Sequence, residues 1–113
     1  MNAGEAIYRD QCAACHQIDG KGVPRLFPSL ADSSGVRSRD ATTLIRIVLR
    51  GARSVATKQE PTAPGMPSFG RQLNDEQIAA VVSYVRNAWG HPAAAVAPGD
   101  VSKTRDALST RAD

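Results

Sequence analysis

Cys12, Cys15 and His16 are the residues with the most specific chemistry: two thiols three residues apart and an imidazole directly after the second. On a helix, positions i and i+3 share a face, so both sulfurs can reach one edge of a single porphyrin and bond to its two vinyl groups. Cys-x-x-Cys-His is the attachment pattern of c-type haem. His16 can then turn its ring toward the centre of the macrocycle and bind the iron as the proximal ligand. Met66 supplies the second half, because a ligand on the far side of the ring must come from a separate segment. A thioether is soft and weakly basic, and it favours ferrous iron relative to a second imidazole, which raises the potential. Met1 is the other thioether, and it is terminal. His91 is the other imidazole. As sixth ligand it would lower the potential, but it stands just past a helix end, where surface histidines are common.

Three other chemistries use the same residue types. Cys12, Cys15, His16 and His91 could in number make a closed zinc site, yet adjacent Cys15 and His16 point awkwardly for one small ion and the second ligand pair lacks the usual short spacing. A thiol redox enzyme needs a strand ahead of its Cys-x-x-Cys helix, and none is predicted. A haem enzyme or sensor with an open sixth site, peroxidase-like in character, is opposed by Met66 on a proline-stiffened loop. Colour separates them: zinc and thiol forms are colourless, a haem protein is red, and sulfur-ligated ferric iron adds a weak far-red band.

The rest of the composition suits a ligand-filled interior. At 113 residues and 12.0 kDa the chain makes one small domain. Aromatic residues make up 4% of it, so large side chains to fill a core are scarce. A porphyrin would fill that space with flat apolar surface, although Leu, Ile and Val suffice in many small helical domains. Fourteen basic residues against 11 acidic give +3, scattered along the chain without aromatic interleaving, which argues against nucleic-acid binding. No apolar run approaches the roughly 20 residues that cross a bilayer, so no transmembrane segment is expected in this chain. Its first residues do not read as a secretory signal. Thioether attachment of haem belongs to the exported side of a membrane, so either Met1 is an added start or the segment was cut from a longer exported chain.

Four stretches must position these groups. A first helix is expected from Asn2 to about Cys15, capped by Asn2 with Glu5 in the box position. It puts Gly4, Tyr8, Cys12 and Cys15 on one face. Gly20, Gly22, Pro24 and Pro28 then predict an irregular loop around whatever His16 faces. A second helix is expected from about Asp40 to Arg50, with Leu44, Ile47 and Val48 as its apolar positions and Gly51 as its stop. From Ala52 to Gln72 no period is visible; Pro61, Pro64 and Pro67 predict an extended loop with Gly65-Met66-Pro67 at its tip. The last helix starts at Asn74, with Gln77 closing a capping box and Leu73 with Ile78 a hydrophobic staple. Its apolar face is Ile78, Val81, Val82, Val85 and Trp89, and Gly90-His91-Pro92 ends it. Beyond Pro92 the composition predicts an extended tail with at most a weak helix near Val101 to Leu108.

These motifs resemble the small monohaem class I cytochrome c family, over about residues 2 to 91. Cys12-x-x-Cys15-His16 resembles its attachment site, Pro28-Ser29-Leu30 its haem-flanking loop, and Gly65-Met66-Pro67-Ser68-Phe69-Gly70 its distal methionine loop. Tyr84-Val85-Arg86 and Trp89-Gly90 are similar to the terminal helix of cytochrome domains serving exported dehydrogenases. The resemblance implies an all-α fold wrapped around one haem c, a cytochrome domain over residues 1–91 and a tail or linker over 92–113. It implies that the first and last helices cross, with Gly4 and Tyr8 against Tyr84 and Val85. Cys12, Cys15, His16, Pro28 and Met66 are the implied haem-binding residues, with His16 and Met66 on the iron. The Pro28 carbonyl would accept from His16 Nδ1, unless Pro28 is a plain turn proline. Arg37, Arg46 and Arg50 are candidates for the propionates, or simply solvated arginines. The implied function is one-electron transfer in the periplasm, without bond-making chemistry of its own, to or from a redox partner or fused catalytic domain: a quinone-cofactor dehydrogenase, a nitrite reductase or an oxidase. The scarcity of aromatics and the tail after Pro92 depart from the minimal family pattern.

Overall fold

Asn2 starts the first helix as expected: its Oδ1 accepts from the Glu5 N–H at 2.8 Å and satisfies a donor that the helix itself cannot reach. A computed structural model describes residues 2–23, 29–33, 35–53, 65–89 and 93–109 of the chain. The expected helix is in two pieces, α1 over Ala3–Gln11 and a single turn α2 over Ala13–His16, with Cys12 as the joint. Helix α3 spans Thr42–Arg50. Asp40 accepts from both the N–H and the hydroxyl of Thr42, at 2.9 and 2.5 Å, and thereby starts it. The residues of α3 set deepest are Ile45 and Leu49, while Leu44, Ile47 and Val48 are half-buried. The sequence pattern singled out neighbours on the same stripe, about one position away from the face that turns inward.

A two-residue ladder follows, β1 (Ala52–Arg53) antiparallel to β2 (Gly65–Met66), with Ala52 opposite Met66 and Arg53 opposite Gly65. Met66 therefore sits at the neck of its loop, where the two arms come together, and not at the tip. Strands of two residues are too short to leave an alternating pattern in the sequence. Helix α4 spans Asp75–Asn87, and its capping box is complete in both directions at 2.8 Å. The expected face is buried at Ile78, Val81, Val82 and Val85, with Leu73 and Trp89 packed against it. The expected stop at residues 90–92 lies outside the described residues.

Within the segment expected as an extended tail, the weak helix expected near Val101 to Leu108 is a longer, packed one. Helix α5 spans Pro98–Ser109 and packs on α3 and α4, burying Val101, Thr104 and Leu108. Val96 leads into it, with its N–H on Ser83 Oγ at 2.8 Å, and Asp100 accepts from the Ala97 N–H at 3.1 Å at its start. Its inward stripe carries only two large apolar residues, Val101 and Leu108, too few to signal a packed helix. What holds it in place are tertiary hydrogen bonds: Arg50 Nη2 donates to the Leu108 carbonyl at 3.0 Å, and Arg105 donates to residues 70, 73 and 75. The described architecture is all-α apart from the short ladder.

The crossing of α1 and α4 organises the core. Gly4 lies directly on the backbone of α4; a methyl there would overlap the Ala80 carbonyl and press on Tyr84 Cβ at 2.9 Å. Tyr8, one turn on, is fully buried. Arg86, also buried, donates to the carbonyls of Ala94, Val36 and Ser38 at 3.0, 3.4 and 2.7 Å and staples α4 to the flanking loops. Gly4→Ala should separate the two helices and cost roughly 1–3 kcal/mol, as overpacking does. Equilibrium denaturant unfolding measures it, and an unchanged midpoint would show that the crossing tolerates a side chain.

Candidate haem-binding site

Cys12 and Cys15 are free thiols, both half-buried, and His16 is buried with 8% exposure. The Cys12 carbonyl accepts from the N–H groups of Cys15 and His16, at 3.2 and 3.0 Å, so one turn of backbone fixes all three side chains relative to each other. Burial, with the neighbouring Cys15, pushes the Cys12 thiol up to about 11, which keeps it neutral until it is bonded.

Immediately after His16 the chain reverses. Gln17 adopts φ +66° and ψ 161°, a conformation costly for a residue with a side chain. Three contacts hold it there. Tyr8 Oη donates to the Gln17 carbonyl at 2.6 Å, Trp89 Nε1 to the Ile18 carbonyl at 3.2 Å, and the Gly22 N–H to the His16 carbonyl at 3.0 Å. The rings of Tyr8, Tyr84 and Trp89 form a cluster with centroids 5.4–6.1 Å apart. Three of the four described aromatics are thus gathered behind the Cys-His turn. Burial raises the Tyr8 phenol above its ordinary range, with Cys12, Tyr84 and Asp19 adding to it.

Met66 is half-buried and comes from the opposite direction in sequence. Gly51 ends α3 at φ +79°, and a side chain there would run into the Met66 carbonyl and Pro67. The loop then docks on the last carbonyls of α3. The Phe69 N–H donates to Val48 O at 2.9 Å, the Gly70 N–H to Leu49 O at 3.1 Å, and Ser68 Oγ also donates to Leu49 O. Phe69 is buried beneath the loop. No group of three or more His, Cys, Asp or Glu able to hold a bare metal ion exists among the described residues, and a helix rather than a strand precedes the cysteine pair. Two unpaired thiols on one turn, a buried imidazole and a thioether on a separate braced loop form a donor set suited to an iron porphyrin.

A cytochrome c family model matches residues 1–89. The chain belongs to the cytochrome c family. Members of this family move single electrons through a covalently attached haem, and the Cys12-x-x-Cys15-His16 motif has the spacing of that attachment. The chain is 43% identical to the gluconate 2-dehydrogenase cytochrome c subunit of Pantoea cypripedii, over 90% of this chain and 24% of that protein. It is 40% identical to the cytochrome c subunit of a quinone-type alcohol dehydrogenase of Gluconobacter oxydans, over 92% of this chain and 22% of that protein. Cytochrome c-552 of Thermus thermophilus is 37% identical, over 77% of this chain and 68% of that protein. The chain thus spans about a quarter of the length of the dehydrogenase subunits it matches. Those matches take in more of the chain than residues 1–89 can hold, so the likeness continues into the segment that forms α5.

Several expectations fall on residues outside the described ones: Pro28 and its carbonyl, His91, Pro61 and Pro64. Of the arginines considered for propionates, Arg37 donates to the Ala31 carbonyl at 3.2 Å and Arg50 to Leu108. Arg46 lines a groove of about 360 Å³ between α3 and α5. Sequence reasoning missed the supporting roles of Tyr8, Trp89 and Arg105. The spacing of Tyr8 was visible, but a hydroxyl bonding nine residues along the chain has no local signature.

Tyr8→Phe should remove about 0.5–1.5 kcal/mol, the worth of one hydrogen bond, by releasing the Gln17 carbonyl. The substitution also alters the alkaline limb. Below pH about 10, the ordinary tyrosine value, folded and unfolded chains both keep the proton; above it the unfolded chain releases it first, so stability falls as pH rises. Denaturation at pH 7 to 11 should show that decline in the parent and a shallower one in Tyr8→Phe.

Proposed function

We propose that this chain carries one haem c, bonded through Cys12 and Cys15 and ligated by His16 and Met66, and that it relays single electrons for a larger oxidoreductase on the exported, periplasmic side of a membrane. The observation that carries this reading is the Cys12-x-x-Cys15-His16 motif, its histidine buried on a braced turn, within a chain that a cytochrome c family model matches over residues 1–89; a methionine loop docked on α3 supports it. When bound, haem supplies a one-electron ferric/ferrous couple whose potential a thioether ligand raises. The chain's own part is mechanical and electrostatic. Cys12 and Cys15 fix the porphyrin edge, the Tyr8 and Trp89 hydrogen bonds hold the backbone that aims His16, and the α3 carbonyls hold the loop of Met66. A Pro28 carbonyl accepting from His16 Nδ1 would set the ring's orientation. Ligands held by rigid segments move little between oxidation states, which suits rapid electron exchange.

Carrying electrons is the whole activity in this reading, and bond-making belongs to the partner. The likeness to cytochrome subunits of gluconate and alcohol dehydrogenases favours a quinone-cofactor dehydrogenase over a nitrite reductase or an oxidase. The docking surface is the edge near Cys12 and Cys15. Ala14 is small and exposed there, and Ile18 is an exposed large apolar side chain, at 60%.

Protein made in a host competent in haem maturation should be red and keep its pigment in acidified organic solvent; release of the pigment would overturn covalent attachment. Met66→Ala should abolish the far-red band and lower the midpoint potential by on the order of 0.1 V, a modest part of the roughly 0.8 V range that axial ligands span. An unchanged midpoint in redox titration would show that Met66 is not a ligand.

A further inference from the structure

The helix beyond the family model and the loop of Met66 meet at one side chain. Arg105, in the middle of α5, directs its guanidinium at the chain leaving that loop. Its Nη1 donates to the Gly70 carbonyl, its Nη2 to the Leu73 carbonyl at 3.2 Å, and its Nε to Asp75 Oδ1 at 2.9 Å. Gly70 is gripped from both ends, because its own N–H donates to Leu49 O at 3.1 Å while its carbonyl accepts from Arg105. The circuit closes through Arg50, whose Nη2 reaches the Leu108 carbonyl in the last turn of α5. Helix α3, the methionine loop, the start of α4 and α5 therefore form a ring of hydrogen bonds, and Arg105 is where α5 enters it.

We propose that Arg105 is a positioning residue for the axial methionine: α5 acts as a clamp that keeps the Gly70 end of the loop on α3 and so keeps the Met66 sulfur in place. This rests on the reading of Met66 as an iron ligand. A thioether is a weak ligand, so its occupancy depends on how often the loop opens, and local opening is governed by the few bonds that close the segment. Three residues separate Met66 from Gly70, too short a stretch for one end to be released without freeing the other. The planar fork explains the choice of residue, since arginine offers several donors in fixed directions and lysine a single compact ammonium. The ion pair with Asp75 is about one-third exposed on each side, so its Coulomb share is small, and the two carbonyl contacts do most of the holding.

The test uses the haem-loaded protein and follows two signals during heating: the far-red thioether band of ferric iron, and the far-ultraviolet helix signal. In the parent the two should disappear together. In Arg105→Ala the band should vanish at a lower temperature than the helices, with the equilibrium constant for its loss rising about tenfold or more, as loss of hydrogen bonds from a charged donor implies. Its midpoint potential should fall, and Arg105→Lys should recover part of both effects. Val101→Ala, buried in the same helix but outside the ring of hydrogen bonds, provides the comparison: it should lower the melting temperature with band and helices still lost together and the potential unchanged. Arg105→Gln carries the same comparison if the alanine variant does not fold. If the band in the Arg105 variants vanishes only with the helices and the potential stays put, the clamp is overturned while Met66 stands. A parent protein without the far-red band overturns the Met66 assignment and the clamp with it.

Discussion

A helix leaves its last carbonyls without partners, and in this chain the loop of Met66 supplies them. Val48 and Leu49 offer oxygens at the end of α3, and Phe69, Gly70 and Ser68 take them up. One requirement, that buried backbone polar groups be satisfied, thus also sets where the methionine stands. The short ladder of Ala52 with Met66 closes the same loop at its other end, and Gly51 gives the room for the two arms to lie together. Remove these contacts and the sulfur has no defined position.

The candidate ligand His16 is held by a different device. His16 belongs to a turn too short to hold itself, followed by a residue in a strained conformation. The strain at Gln17 persists because the Tyr8 hydroxyl and the Trp89 indole secure the peptides that follow His16, and those rings are themselves placed by the crossing of α1 on α4. The close approach at Gly4 therefore reaches the candidate iron ligand through two aromatic side chains. Both candidate ligand segments are braced by hydrogen bonds to their backbone, from the Tyr8 and Trp89 side chains in one case and with the last carbonyls of α3 in the other, an arrangement suited to a site whose geometry should stay constant as its charge changes.

The likeness to dehydrogenase cytochrome subunits fits the added helix. Cytochrome c-552 matches a smaller share of this chain than the dehydrogenase subunits do. The larger match reaches at least the start of helix α5, which packs on α3 and α4 and bonds the chain where the Met66 loop returns to α4. The Arg105 bonds of α5 to residues 70, 73 and 75 and the Arg50 bond to its Leu108 carbonyl tie it to α3 and to the loop of Met66.

By itself, the amino-acid order determined the chemistry and the strongest local elements. Cys12, Cys15 and His16 declare themselves by spacing alone, Asn74 and Gln77 declare the start of α4, and the Ile78, Val81, Val82 and Val85 stripe declares its buried face, because capping and helical periodicity are local in the chain. The pairing of Gly4 with α4 came from family resemblance, and the close contacts with Ala80 and Tyr84 bear it out. Tertiary structure decided the rest: the break at Cys12, the inward turn of Ile45 and Leu49, the position of Met66 at the neck of its loop, and the folding of residues 98–109 into a packed helix. Each depends on partners far away in sequence, such as Arg105 with Gly70 or Tyr8 with Trp89. A two-residue strand or a helix with only two large apolar contacts leaves too little periodic signal for the local sequence to reveal it.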